Sequence, residues 1–171
     1  MKQFPKTSPE EVIELANKPY VICRLKAANS PNVGEDVLEV LVKDPELQVR
    51  KAVAKLGYGL DRLMYDPVSD VRAEVAQHGY EFDTLVHDES WYVRKLVAEH
   101  GYGLDLLIDD EDTYVRAAVA RQGYGLDTLL HDDSAIVRCA VAEQGYGLDT
   151  LIHDINPRVR AAAKQYLLSL K

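Results

Sequence analysis

Apolar residues recur at helical spacing along this chain, inside a longer period of 22 residues. In the stretch after Asp110, Val115, Ala118, Val119 and Gln122 lie on one stripe, which predicts an amphipathic helix over 110–122. Asp110, Asp112 or Thr113 can cap it, and acidic residues suit the positive end of a helix. Gly123 follows, where a left-handed helix end favours a residue without a Cβ. Gly125-Leu126-Asp127-Thr128-Leu129-Leu130 then predicts a short second helix with Leu126, Leu129 and Leu130 facing inward.

The same unit returns down the chain. Val-Arg pairs stand at Arg50, Arg72, Arg94, Arg116, Arg138 and Arg160, and an Asp precedes each Arg by six residues: Asp44, Asp66, Asp88, Asp110, Asp132 and Asp154. A unit this short cannot bury its apolar side alone, so it predicts copies packed on neighbours. Ala54, Ala76, Ala98, Ala120 and Ala142 are equivalent, and small residues allow close helix approach. The expected organisation is a single repeat domain over 1–171: an atypical N-terminal cap at 1–43, five repeats at 44–153, and a C-terminal capping helix at 154–171.

Both ends depart from the unit. Ser8-Pro9-Glu10-Glu11 reads as a cap followed by Pro at the first helical position, with a helix to about Asn17. A second helix is expected from Pro19 to about Ala28, a loop at Asn29–Asn32, and a helix over 37–42. At the C-terminus a helix from Pro157 carries Lys164 in place of Ala and runs on through Gln165-Tyr166-Leu167-Leu168-Ser169.

The spacing in every unit resembles the HEAT repeat family. The short period and abbreviated second helix are similar to the leucine-rich-repeat variant, as is the segment Asn29-Ser30-Pro31-Asn32 through Val37-Leu38 and Leu41 to Asp44. The resemblance covers residues 20 to 171. It implies an all-α, right-handed α-solenoid of short helix pairs, and in these families most members bind other proteins. Some variant repeats carry an N-terminal cysteine cluster for an iron–sulfur centre; this chain has only Cys23 there, so that activity is not carried over. Some HEAT-like relatives are lyases or DNA-repair enzymes, and no motif for either chemistry is visible.

Charge narrows the partners. The net charge is -8, and removing the six Asp and six Arg of the repeat leaves 14 basic and 22 acidic residues, still -8. An acidic surface repels phosphate backbones and anionic membranes, so neither nucleic acid nor membrane is expected as partner. The two cysteines, Cys23 and Cys139, form no CxxC pair, which predicts reduced thiols. Met1-Lys2-Gln3-Phe4-Pro5 offers no apolar signal segment, and the expectation is a monomeric cytoplasmic protein.

Periodic residues are read as scaffold. Each Arg is expected to bridge Asp carboxylates of its own and the adjacent repeat, because buried charges are paired. Tyr58, Tyr80, Tyr102, Tyr124 and Tyr146 follow the capping Gly, where an apolar residue folds back on the helix it ends. His87, His131 and His153 share one position, and His78 and His100 another. Equivalents about 8–10 Å apart do not converge as zinc ligands must, so they are read as polar turn residues, with no metal and no cofactor. Cys139 stands where other repeats have Ala and is read as a packing residue.

Function is expected where a unit breaks the pattern. Trp91 is the only Trp, and the next column reads Asp70, Tyr92, Tyr114, Ile136, Arg158: apolar in the middle, charged at both ends. Trp91, Tyr92, Tyr114 and Ile136 are therefore the candidate protein-binding residues, with Asp70 and Arg158 as a rim. The expected function is a non-enzymatic scaffold for a protein or peptide partner. The alternative is an enzyme or small-ligand-binding protein with its site in the groove of the solenoid.

Overall fold

The computed structural model describes residues 7–170. Met1–Pro5, read above for the lack of an apolar segment, lies outside the described residues. These form fourteen helices and no strand. They pack as two compact units, Met1–Tyr80 and Glu81–Lys171.

The first unit holds α1 (Pro9–Ala16), α2 (Val21–Ala28), α3 (Glu35–Leu41), α4 (Leu47–Lys55), the one-turn α5 (Leu60–Leu63) and α6 (Ser69–Gln77). The Ser8 hydroxyl accepts from the Glu11 N–H while the Glu11 carboxylate accepts from the Ser8 N–H, a reciprocal capping box behind Pro9. Helix α1 packs on α2 and α3, α2 on α4, and α4 on α6. Helix α3 begins at Glu35, two residues earlier than its apolar pattern suggests, because Glu35 and Asp36 are favourable in a first turn.

In the second unit four longer helices, α8 (Trp91–Glu99), α10 (Thr113–Arg121), α12 (Ala135–Glu143) and α14 (Pro157–Ser169), alternate with the one-turn α7 (Phe82–Leu85), α9 (Leu104–Leu107), α11 (Leu126–Leu129) and α13 (Leu148–Leu151). Helix α8 packs on α10, α10 on α12, and α12 on α14, with the short helices against their flanking long ones. Val93, Val115, Val137 and Val159 are fully buried, as are Val97, Val119 and Val141 beside Ala98, Ala120 and Ala142. Each Val contributes on the order of 1.5–3 kcal/mol by leaving water. Of the leucines expected inward in α11 and its end, Leu129 is buried, while Leu126 and Leu130 are half-buried.

Helices α4, α8, α10 and α12 share one ending. In α8 the Tyr102 N–H donates to the Val97 carbonyl (3.3 Å) and the Gly101 N–H to the Ala98 carbonyl (2.8 Å), a Schellman closure with Gly101 at φ +76°. The next glycine starts the short helix. Gly103 has φ +59°, and a Cβ there would lie 2.6 Å from Val86 Cγ2. Position 103 thus needs glycine for both conformation and space.

Helix α10 begins later than the sequence reading places it. It starts at Thr113, not Asp110. Asp112 is the cap, its carboxylate accepting from the Tyr114 N–H at 2.8 Å. Asp110 closes the turn before it, its Oδ1 accepting from the Asp112 N–H at 2.9 Å. No helix of the described residues is long and apolar enough to cross a membrane.

Candidate functional site

The Asp and Arg columns meet as a ladder. Arg116 donates from Nε to Asp132 Oδ2 (2.7 Å) and from Nη2 to Asp132 Oδ1 (3.1 Å), while its Nη1 donates to the Asp110 carbonyl (2.7 Å). Arg94 does the same to Asp110 and the Asp88 carbonyl, and Arg138 to Asp154 and the Asp132 carbonyl. In the first unit Arg50 forks onto Asp66 and reaches the Asp44 carbonyl. Arg72 is buried and donates to the Asp66 carbonyl at 2.7 Å. Asp88 accepts the Ser90 N–H at 2.8 Å.

One part of the expectation is corrected. Arg50, Arg94, Arg116 and Arg138 do not bridge two Asp carboxylates: within its own repeat each holds the main-chain carbonyl of the Asp, and Arg94 also lies 3.4 Å from the Glu111 carboxylate. The carboxylates of Asp44, Asp110 and Asp132 turn instead to the preceding Arg and to the N–H two residues on. A guanidinium with five fixed donors can serve a carboxylate edge and a carbonyl at once. Arg160 ends the series. It donates to the Asp154 (2.7 Å) and Ile155 (2.9 Å) carbonyls, and no carboxylate among the described residues lies within ion-pair distance of it.

The ladder is electrostatically closed. Asp132 is pushed up by burial, but bonds from Arg116 and the Ser134 N–H outweigh this and leave it below its ordinary value. Bonds from Arg138 lower Asp154. No buried side-chain nitrogen or oxygen among the described residues lacks a partner. Ladder groups already committed in this way are poor candidates for catalysis or for binding a free anion.

Trp91, Tyr92, Tyr114 and Ile136 all lie in first turns of α8, α10 and α12, with 42, 38, 49 and 40% of their surface exposed. The Trp91 ring sits 5.8 Å from Tyr92, edge-on, and 5.4 Å from Tyr114 across to the neighbouring helix. Ile136 takes the same position on α12. Asp112 and Ser134 accept the N–H groups of Tyr114 and Ile136, fixing these first turns. The aromatic rings are therefore held in place while half in water. Arg158 is exposed in the first turn of α14, and Asp70 is exposed on α6 of the first unit.

The other sequence candidates separate clearly. All five histidines are exposed. No three His, Cys, Asp or Glu side chains among the described residues group as metal ligands. Tyr102 turns to α7: its ring lies 5.5 Å from Phe82 and its hydroxyl donates to Asp83, a bond that raises its pKa first, with burial second. Tyr58 donates to Glu39 (3.2 Å). Cys139 is half-buried on α12, and burial pushes its thiol up, away from nucleophilic character.

Three features escape the sequence reading. Arg24 extends the ladder, forking onto Asp44 at 2.6 and 3.1 Å and reaching the Pro19 carbonyl. The signal was Lys18-Pro19 six and five residues before it, matching Asp44-Pro45 before Arg50 but with Lys hiding the register. Glu81 takes the place of Gly103 and is the one non-glycine with positive φ (48°) among the described residues. The third is charge distribution. Residues 81–171 hold 16 acidic and 9 basic residues, a net -7, leaving -1 for residues 1–80. The acidity belongs to the unit that carries the aromatic residues.

No protein-family model matches this chain, and no curated protein matches it. Any reading of its role therefore rests on its own residues.

Proposed function

We propose that this chain is a non-enzymatic, right-handed α-solenoid of HEAT-like or leucine-rich-repeat-variant type, acting as a monomer in the cytoplasm. It binds a protein or peptide partner on the Trp91–Tyr92–Tyr114–Ile136 strip. The observation that carries the reading is the joint exposure of four large apolar side chains at neighbouring first-turn positions, three of them aromatic and two pairs in ring contact. Exposed apolar strips of this kind mark interaction sites on proteins of this size. Trp and Tyr are the residue types that dominate interface energetics. The non-enzymatic part is supported by carboxylates that repeat periodically, so that no acid–base pair stands apart, and by a thiol that burial makes less reactive.

The test is affinity capture from native cell extract with the wild-type protein and a Trp91→Ala/Tyr114→Ala variant of unchanged helix content. Anchors worth about 2 kcal/mol each would lower partner affinity at least tenfold when both are removed. Equal recovery of the same partner by both proteins contradicts the reading.

A further inference from the structure

The strip lies on the acidic unit, and the acid is placed beside it. The residue after each ladder Asp reads Pro45, Pro67, Glu89, Glu111, Asp133, Ile155. Acid occupies this column only in the three repeats whose first turns carry Tyr92, Tyr114 and Ile136. Glu89, Glu111 and Asp133 are all exposed. Each precedes its strip residue by three positions, so the backbone keeps the two within about 10 Å.

The loops that lead into α10, α12 and α14 have the same sign. A trough of about 450 Å³ there is lined by five carboxylates: Arg94 holds Asp110 and lies 3.4 Å from Glu111, Arg116 holds Asp132, and Asp109 and Asp133 are left over. A neighbouring trough of about 640 Å³ has three carboxylates, including Asp133, against Arg138. The Arg116 and Arg138 guanidiniums are committed to ladder carboxylates and carbonyls. The charge left over, on Asp109 and Asp133, is negative, and Glu111 keeps most of its surface in water beside its contact with Arg94.

We infer that the strip's occupant is a basic polypeptide segment, with apolar anchors on Trp91, Tyr92, Tyr114 and Ile136 and Lys or Arg side chains facing Glu111 and Asp133. This deepens the binding reading above and rests on it. Apolar contact supplies affinity, while the acidic edge selects and orients the partner and rejects acidic segments. Neighbouring helices place successive strip residues about 8–10 Å apart. A peptide in the polyproline II conformation, with three residues per turn and about 3.1 Å per residue, sets every third side chain on one face at that spacing.

Trp91, the only Trp, is a reporter built into the strip. The experiment titrates the intact protein with three Trp-free synthetic peptides of about ten residues. One has Phe at every third position and Lys between, a second has Glu for Lys, and a third has Ser for Phe. The Lys/Phe peptide is expected to shift Trp91 emission and to bind at least about tenfold more tightly than the Glu/Phe peptide. That advantage shrinks as salt rises from about 0.05 to about 0.5 M, and shrinks again in a Glu111→Gln/Asp133→Asn variant. Equal binding of the Lys/Phe and Glu/Phe peptides overturns the basic-partner inference and leaves the strip standing. Equal binding of the Lys/Ser and Lys/Phe peptides, or no binding by either Phe peptide, overturns the strip itself.

Discussion

At the scale of the residue, the ladder is an exchange of oxygens. Asp44, Asp66, Asp110, Asp132 and Asp154 each give a carbonyl to the Arg six residues on and a carboxylate to the Arg before, so losing one guanidinium strands groups in two places. Arg116 and Asp132 are largely shielded, with side chains 18% and 8% exposed. Arg116→Ala is expected to cost about 2–3 kcal/mol, somewhat below a fully buried pair because some solvent reaches it. Arg160→Ala loses carbonyl bonds alone and is expected to cost less, about 1 kcal/mol. Denaturant titration of both variants checks the order, and an equal cost would deny the carboxylate fork its role. The pH dependence has a definite sign. Asp132 and Asp154 sit below their ordinary values in the folded protein. Their contribution is therefore full above the unfolded value near about 4 and lost as pH falls through the lower folded values. The stability gap between wild type and Asp154→Asn is expected to be widest near neutral pH and to close in acid. A gap that stays constant down to strongly acidic pH contradicts this.

At the scale of the element, two glycines do different work. The first ends a long helix; the second, left-handed, starts a short one against the apolar residue that follows the previous short helix. Gly103→Ala is expected to destabilise by about 1–2 kcal/mol, since it combines positive φ with a Cβ too close to the buried Val86. Glu81→Gly, at the same repeat position, is expected to stabilise by up to about 1 kcal/mol by relieving the one left-handed non-glycine. Thermal melts of the two variants should move in opposite directions; a Glu81→Gly melt that falls would show that the Glu side chain matters more than its backbone. Helices and their ends were largely legible in the sequence, because Val spacing, Gly caps and Ser8-Pro9 act locally. The start of α10 was not. Asp110, Asp112 and Thr113 are all competent caps, and only the turn that Asp110 closes decides for Asp112. Glu81 was invisible because a non-glycine in a glycine column gives no hint of its φ.

At the scale of the whole molecule, the repeat columns and the departures from them separate scaffold from candidate site. Val, Ala, Asp, Arg and Gly columns are buried, bonded or conformational. Trp91, Tyr92, Tyr114 and Ile136 break the pattern and are exposed. Sequence could nominate that strip, since a lone Trp and an apolar run between charged ends are visible in one dimension. It could not give the ring contact of Trp91 with Tyr114, which depends on how α8 lies on α10. Nor did a net charge of -8 reveal that nearly all of it belongs to the unit bearing the strip. The most direct measurement is hydrogen exchange on the protein with and without its captured partner. First-turn amides lack helical acceptors and exchange readily, so a covering partner has a clear effect there. The account predicts slowed exchange confined to the first turns of α8, α10 and α12, around residues 89–93, 111–115 and 133–137. Protection confined to the short helices or to residues 7–80, with those first turns unchanged, would contradict it.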